Sequence, residues 1–229
     1  MDTIRKLIVE FIGPFALVYI GAGAIIATGG KDLVAIALAH GLAIGLLVAA
    51  AGHISGGVYN PALTAGLMAA RRLPIPMGIG YIIAQLLGGT VAAAFLKLSF
   101  SPQAVDAVKL GTPLLGAGVT AGQGVLVELI LTFFLMFSVF GTAVDPRGPR
   151  TIAGPVIGLI ITMDIFAGGA LTGAAMNPAR SFGPELIQGV WDAWWVYWVG
   201  PILGAVIAAL LYNEILLEEP QAAPSKSKA

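Results

Sequence analysis

Six times in 229 residues the chain runs apolar for about the length needed to cross a bilayer, and this recurrence constrains the fold more than any other feature. A hydrocarbon core ~30 Å thick takes about 20 helical residues. Runs near 7–27, 33–51, 77–98, 121–143, 151–170 and 193–216 meet that length. They are continuous rather than alternating, which predicts helices and not strands. The expectation is an all-α membrane protein. Composition agrees, at 58% hydrophobic and 10% charged, where water-exposed domains average about 25% charged. The first run exceeds a signal-peptide core of roughly 7–15 residues, and others follow it, so it reads as an uncleaved first span.

Charge placement orients the spans. With the N-terminus inside, Arg5, Lys6, Arg71, Arg72, Arg147, Arg150, Lys226 and Lys228 are cytoplasmic, while Lys31, Lys97, Lys109 and Arg180 fall outside or near the outer face. Eight against four favours cytoplasmic N- and C-termini. The polar, Pro/Ser-rich end, 218–229, is expected to be a disordered cytoplasmic tail. The membrane expected is the cell (plasma) membrane.

The chain is also duplicated. GHISGGVYNPALTAGL (52–67) and GGALTGAAMNPARSFGPEL (168–186) each carry Asn-Pro-Ala, at an offset of 117. Glu10 in VEFIGPF pairs with Glu128 in VELILTF at 118, and LLGGTVAA (86–93) with ILGAVIAA (202–209) at 116. Each copy, 7–99 and 121–216, holds three spans. An odd number puts the second copy into the membrane upside down, so these are inverted repeats within a single membrane domain.

Both Asn-Pro-Ala segments sit in links too apolar for ordinary loops. Proline at the first helical position, after an asparagine that can cap, starts a helix well. From Asn60 to Ala70 is about ten residues, roughly 15 Å of helix, which is half of a ~30 Å core. Two re-entrant half-helices entering from opposite faces would meet near the midplane. Non-helical backbone at that depth is tolerated only when it is buried or lines a water-filled cavity, so a central polar path follows.

At these residues the chain resembles the aquaporins of the major intrinsic protein family, from Glu10 to about Tyr212. The resemblance implies a passive channel for water and other small neutral solutes that excludes protons and ions, assembled in the lipid bilayer as a homotetramer with one pore per subunit. Ser181 and the Tyr197-Trp198 pair resemble the water-channel branch, whereas Glu185 departs from the small residue common there.

Several residues are then candidates for the pore. The motifs are Asn60, Pro61, Ala62 and Asn177, Pro178, Ala179, with both asparagine amides donating to a passing water where two positive helix ends converge. Each asparagine also suits a helix cap, and both roles can hold together. Carbonyls of Gly56, Gly57 and Val58, and of Gly173, Ala174 and Ala175, would form an acceptor ladder; a plain glycine-rich turn is the alternative. Arg180 is an intramembrane charge and therefore a functional candidate, unless it snorkels to the outer headgroups. Carried over from the family, His40, Ile165, Ala174 and Arg180 form a selectivity filter resembling that of plant vacuolar-membrane aquaporins, associated with ammonia and urea as well as water. His40 could instead bond between helices. Glu10 and Glu128 read as buried structural carboxylates accepting hydrogen bonds from the re-entrant loops, with His53 in the same packing layer. Asp164 is expected at the outer vestibule.

Other function classes fit less well. A net charge of +0 gives no basis for a nucleic-acid partner. The absence of cysteine excludes thiol chemistry, and His40 and His53 alone give no metal-ligand spacing, so neither metal nor cofactor is expected. An enzyme would need paired catalytic groups that are missing. A coupled transporter also uses inverted repeats, but would have to draw on Glu10 and Glu128 for ion coupling. A glycerol or small-polyol facilitator of the same fold is the nearest alternative.

Overall fold

The computed structural model describes residues 1–218, which are helical with no strand among them. The elements run α1 (Asp2–Thr28), α2 (Leu33–Ser55), α3 (Pro61–Ala69), α4 (Ile75–Ser99), α5 (Ala121–Val144), α6 (Arg150–Thr172), α7 (Pro178–Gln188) and α8 (Val196–Leu216). All but α3 and α7 have the length and apolarity to cross a membrane. The chain is an integral membrane protein of six spans and two half-helices.

Local chemistry sets the boundaries. Asp32 accepts a hydrogen bond from the Ala35 amide and caps α2, and Thr120 and Gln123 form a reciprocal capping box on α5. Asn60 and Asn177 cap α3 and α7, each followed by proline at the first helical position. α2 and α6 end at Gly56 and Gly173, whose φ of 97° and 80° lie in the left-handed region that glycine adopts without a Cβ clash. α1 begins at Asp2 rather than at the apolar boundary near 7, because the helix needs backbone bonds and not apolar residues. An Asp2–Lys6 ion pair of 2.8 Å supports its first turn.

The spans pack at close range through small residues. A Cβ on Gly41 of α2 would strike the Gly158 carbonyl of α6. Gly88 of α4 lies against the Phe11 carbonyl of α1, and Gly204 of α8 lies against the Leu129 carbonyl of α5. The last two contacts are equivalent in the two halves. Where lipid tails replace water, such backbone approach supplies the dispersion contacts that hold helices together. Outward faces are apolar, with Leu42, Leu46 and Leu159 all more than half exposed.

Outside the spans, Arg147 ties the α5–α6 link to the end of α8. Its guanidinium donates to Asp145, to the Leu216 carbonyl at 2.8 Å and to Glu218 at 3.0 Å. The same guanidinium holds the Asp145 carboxyl well below the usual carboxylate range. The expected tail over 218–229 lies outside the described residues, apart from this Glu218.

Candidate functional site

Two buried glutamates organise the centre. Glu10 of α1 accepts from the Ser55 hydroxyl at 2.6 Å and from the Val58 and Tyr59 amides at 3.0 and 2.7 Å. Glu128 of α5 accepts from the Thr172 hydroxyl at 2.7 Å and from the Ala175 and Met176 amides at 2.9 and 2.7 Å. The two sets match group for group. Each holds a loop whose last residue before asparagine is left-handed and not glycine, Tyr59 and Met176, both with φ of 52°. One feature is unequal: the Gln85 amide of α4 also donates to Glu10, at 2.7 Å.

The loops deliver the asparagines face to face. Asn60 Oδ1 accepts from the Ala62 amide and Asn177 Oδ1 from the Ala179 amide, which are the caps. Asn60 Nδ2 donates to the Met176 carbonyl and Asn177 Nδ2 to the Tyr59 carbonyl, each at 2.9 Å. The N-terminus of each half-helix is thus bonded to the loop of the other. A primary amide has two N–H groups, so one on each asparagine stays free, and both residues line a cavity of about 300 Å³.

That cavity runs from Arg72 and Val144 past both asparagines to His40, Ile165, Ala174 and Arg180. The structure brings these last four together from α2, α6, the second loop and α7. Gly56, Gly57, Val58 and Ala175 line it as well; Gly173 does not, being the turn residue packed on Pro113. Arg180 is 1% exposed and donates from Nη1 to the Gly111 carbonyl at 2.9 Å. His40 Nδ1 is 2.8 Å from the Ile36 carbonyl. A carbonyl can only accept, so Nδ1 carries a proton, and Nε2 has no hydrogen-bond partner among the described residues; in the neutral ring it is an acceptor.

Two further expectations are corrected. His53 is exposed rather than buried: α2 stays helical to Ser55, so His53 still projects from the helix into a surface depression beside Asp2 and Arg5. Ser55 and Gln85 fill the layer around Glu10 instead. Asp164 is 1% exposed and does not line the cavity, so it is no vestibule residue.

Sequence reasoning missed Gly111 and Gly21. Gly111 closes a run of three left-handed residues, Lys109, Leu110 and Gly111, in the α4–α5 link; strain of this kind is invisible in a sequence. Gly21 leaves room for the His40 ring, within a π-helical turn of α1, Leu17–Ala22, that follows Pro14.

Six spans, two half-helices joined at their N-termini and a cavity through the junction define a membrane channel. The chain belongs to the major intrinsic protein family, which it matches over residues 1–212. It is 44% identical to aquaporin TIP4-4 of Zea mays, over 94% of this chain and 88% of that one. It is also 44% identical to aquaporin TIP4-1 of Arabidopsis thaliana, over 96% and 89%. These relatives put it in the tonoplast-like branch of the aquaporins, which are channels and not enzymes. The X-ray structure of the aquaglyceroporin from Plasmodium falciparum superposes with a TM-score of 0.84, covering 93% of this chain and 97% of that one at 23% identity, a likeness that speaks to the fold alone.

Proposed function

We propose that the protein is a passive channel for water and for small neutral solutes such as ammonia. The observation that carries this reading is the pair of asparagine amides, each with one N–H free, meeting inside a continuous cavity. A water there finds two donors and the converging positive ends of two helices, an arrangement that orients water and repels cations. Carbonyls of Gly56, Gly57, Val58 and Ala175 serve as acceptors on the way. At the constriction Arg180 donates, neutral His40 accepts through Nε2, and Ile165 and Ala174 are apolar walls. One apolar wall at position 165 makes the filter less polar than a ring of donors would, which favours ammonia and admits urea or glycerol slowly.

Ion coupling is disfavoured by the two acids it would need: Glu10 and Glu128 spend their oxygens on loop amides and hydroxyls. The relatives' branch favours a vacuolar-type membrane over the plasma membrane expected from sequence. The lysine and arginine count favours cytoplasmic termini, and the family resemblance supports a homotetramer.

Stopped-flow light scattering on proteoliposomes, with water, ammonia, urea and glycerol in turn, tests the reading. Gradient-driven fluxes of water and ammonia that ignore proton or sodium gradients are expected. Uphill solute movement driven by either ion would refute it.

A further inference from the structure

Beside the filter the protein buries polar groups that have no partner among the described residues. Glu185 of α7 is 1% exposed, and neither carboxyl oxygen is hydrogen-bonded. Tyr197 Oη and Trp198 Nε1 of α8 are buried and unpaired too, as is Arg180 Nε. All four belong to α7 and α8, which pack on each other. The Trp198 ring packs on Phe182 with centroids 6.4 Å apart, and Phe182 lies three residues before Glu185, on the same side of α7. Tyr197 is within electrostatic reach of both Arg180 and Glu185.

Unpaired buried polar groups are rare because each gives up its hydration. This set holds two donors, two acceptors and one hydroxyl that can do either, which is what a few bridging waters satisfy. The charge of Arg180 meanwhile has two carboxylates in reach, Glu128 and Glu185. Glu128 is engaged by Thr172, Ala175 and Met176. Glu185 has both oxygens free, at a position where the water-channel branch carries a small residue.

We propose that Glu185 is an ionised positioning residue which, through waters shared with Tyr197 and Trp198, supplies the counter-charge of Arg180 and so sets how strongly the constriction repels cations. This rests on the reading of Arg180 as part of the filter. The net charge at the constriction is then that of a pair, and removing either member unbalances it.

The test uses four full-length proteins in proteoliposomes: native, Glu185→Gln, Arg180→Val and the double variant. Potassium and ammonium conductance are read, with water flux as the check on insertion. Arg180→Val leaves the Glu185 carboxylate uncompensated behind the cavity wall and should leak cations; adding Glu185→Gln should cut that leak by about tenfold, since one unit charge acts there through a poorly screening medium. The infrared difference between native and Glu185→Gln should show a carboxylate band, and that band should stay a carboxylate but shift in frequency in the Arg180→Val background, where the arginine charge is gone. Equal leaks in single and double variants overturn the proposal, as does a carboxylic-acid band in the native protein. Should Arg180→Val not leak, the filter reading fails separately, and the infrared pair still decides Glu185: a band that responds to Arg180 sustains the counter-charge, and one that does not respond refutes it.

Discussion

Replacing Glu128 by glutamine changes one oxygen to an amide and tests what holds the second pore loop. The native carboxylate accepts three hydrogen bonds, from Thr172 and Ala175 at one oxygen and from Met176 at the other. A glutamine can keep the first pair with its oxygen, but its NH₂ then faces the Met176 N–H, donor against donor. The loss is one charge-assisted bond, about 1.5–3 kcal/mol, and one buried amide left unpaired, about 1–3 kcal/mol. Removing a buried charge returns part of this, leaving roughly 2–4 kcal/mol of local destabilisation. At about 1.4 kcal/mol per factor of ten, the loop should open roughly 30- to 700-fold more often. Amide hydrogen exchange at Ala175 and Met176, read by mass spectrometry in detergent or nanodiscs, should accelerate by that factor, while Val58 and Tyr59 stay as in the native protein. Glu10→Gln should give the mirror result. Unchanged exchange at Met176 in a correctly inserted Glu128→Gln protein would refute the claim that the carboxylate holds the loop.

Three further outcomes are expected. The native chain has no cysteine, so its water flux should resist mercurials, whereas Ala174→Cys, at a 2%-exposed cavity wall, should be blocked; labelled but fully active Ala174→Cys channels would remove Ala174 from the path. Ile165→His adds a ring and a donor at the constriction and should lower urea or glycerol flux several-fold more than water flux; solute-to-water ratios that do not move would discard the apolar-wall reading. Asp145 titrates below the usual carboxylate range because of Arg147, so its contribution is present above the unfolded value of about 3.9 and fades only as pH falls below that. Protection factors at 144–150 and 212–217, taken relative to the intrinsic exchange rate at each pH, should therefore match at pH 5 and pH 7 in the native protein and fall at both in Asp145→Asn.

Much of this arrangement was legible in the sequence because membrane solvation leaves few options. The six spans follow from apolar length, and their ends moved by only a few residues, at Asp2, Ser55 and Thr172, where polar residues continue a helix without disturbing it. The half-helices were readable because Asn-Pro starts a helix by two independent devices, a side-chain cap and a preset φ. The gathering of His40, Ile165, Ala174 and Arg180 needed the family resemblance, since they come from four separate segments. His53 escapes the sequence pattern because α2 stays helical through the polar residues up to Ser55, and one residue of phase decides whether a side chain faces in or out. The Gly111 carbonyl and the two asparagine-to-carbonyl bonds left no trace in side-chain chemistry, because their acceptors are main-chain atoms that every residue type supplies.

The duplicated glutamates explain how so irregular a backbone stays in place. Tyr59 and Met176 each sit left-handed without being glycine, a conformation that costs of order 1–3 kcal/mol. Each neighbouring carboxylate offsets this with two backbone bonds and a hydroxyl bond, worth about 1.5–3 kcal/mol apiece. Glycine at 59 or 176 would remove the strain but widen the loop's choice of conformations, and the asparagine that follows would lose its fixed direction. The Tyr59 ring also fills the space over Gly13, and its hydroxyl donates to the Leu47 carbonyl at 3.2 Å. A strained residue with a side chain that packs, held by a buried acid, gives one orientation where a relaxed glycine gives several. The path depends on that single orientation, since each asparagine must point one N–H at the opposite loop and the other at the passing water.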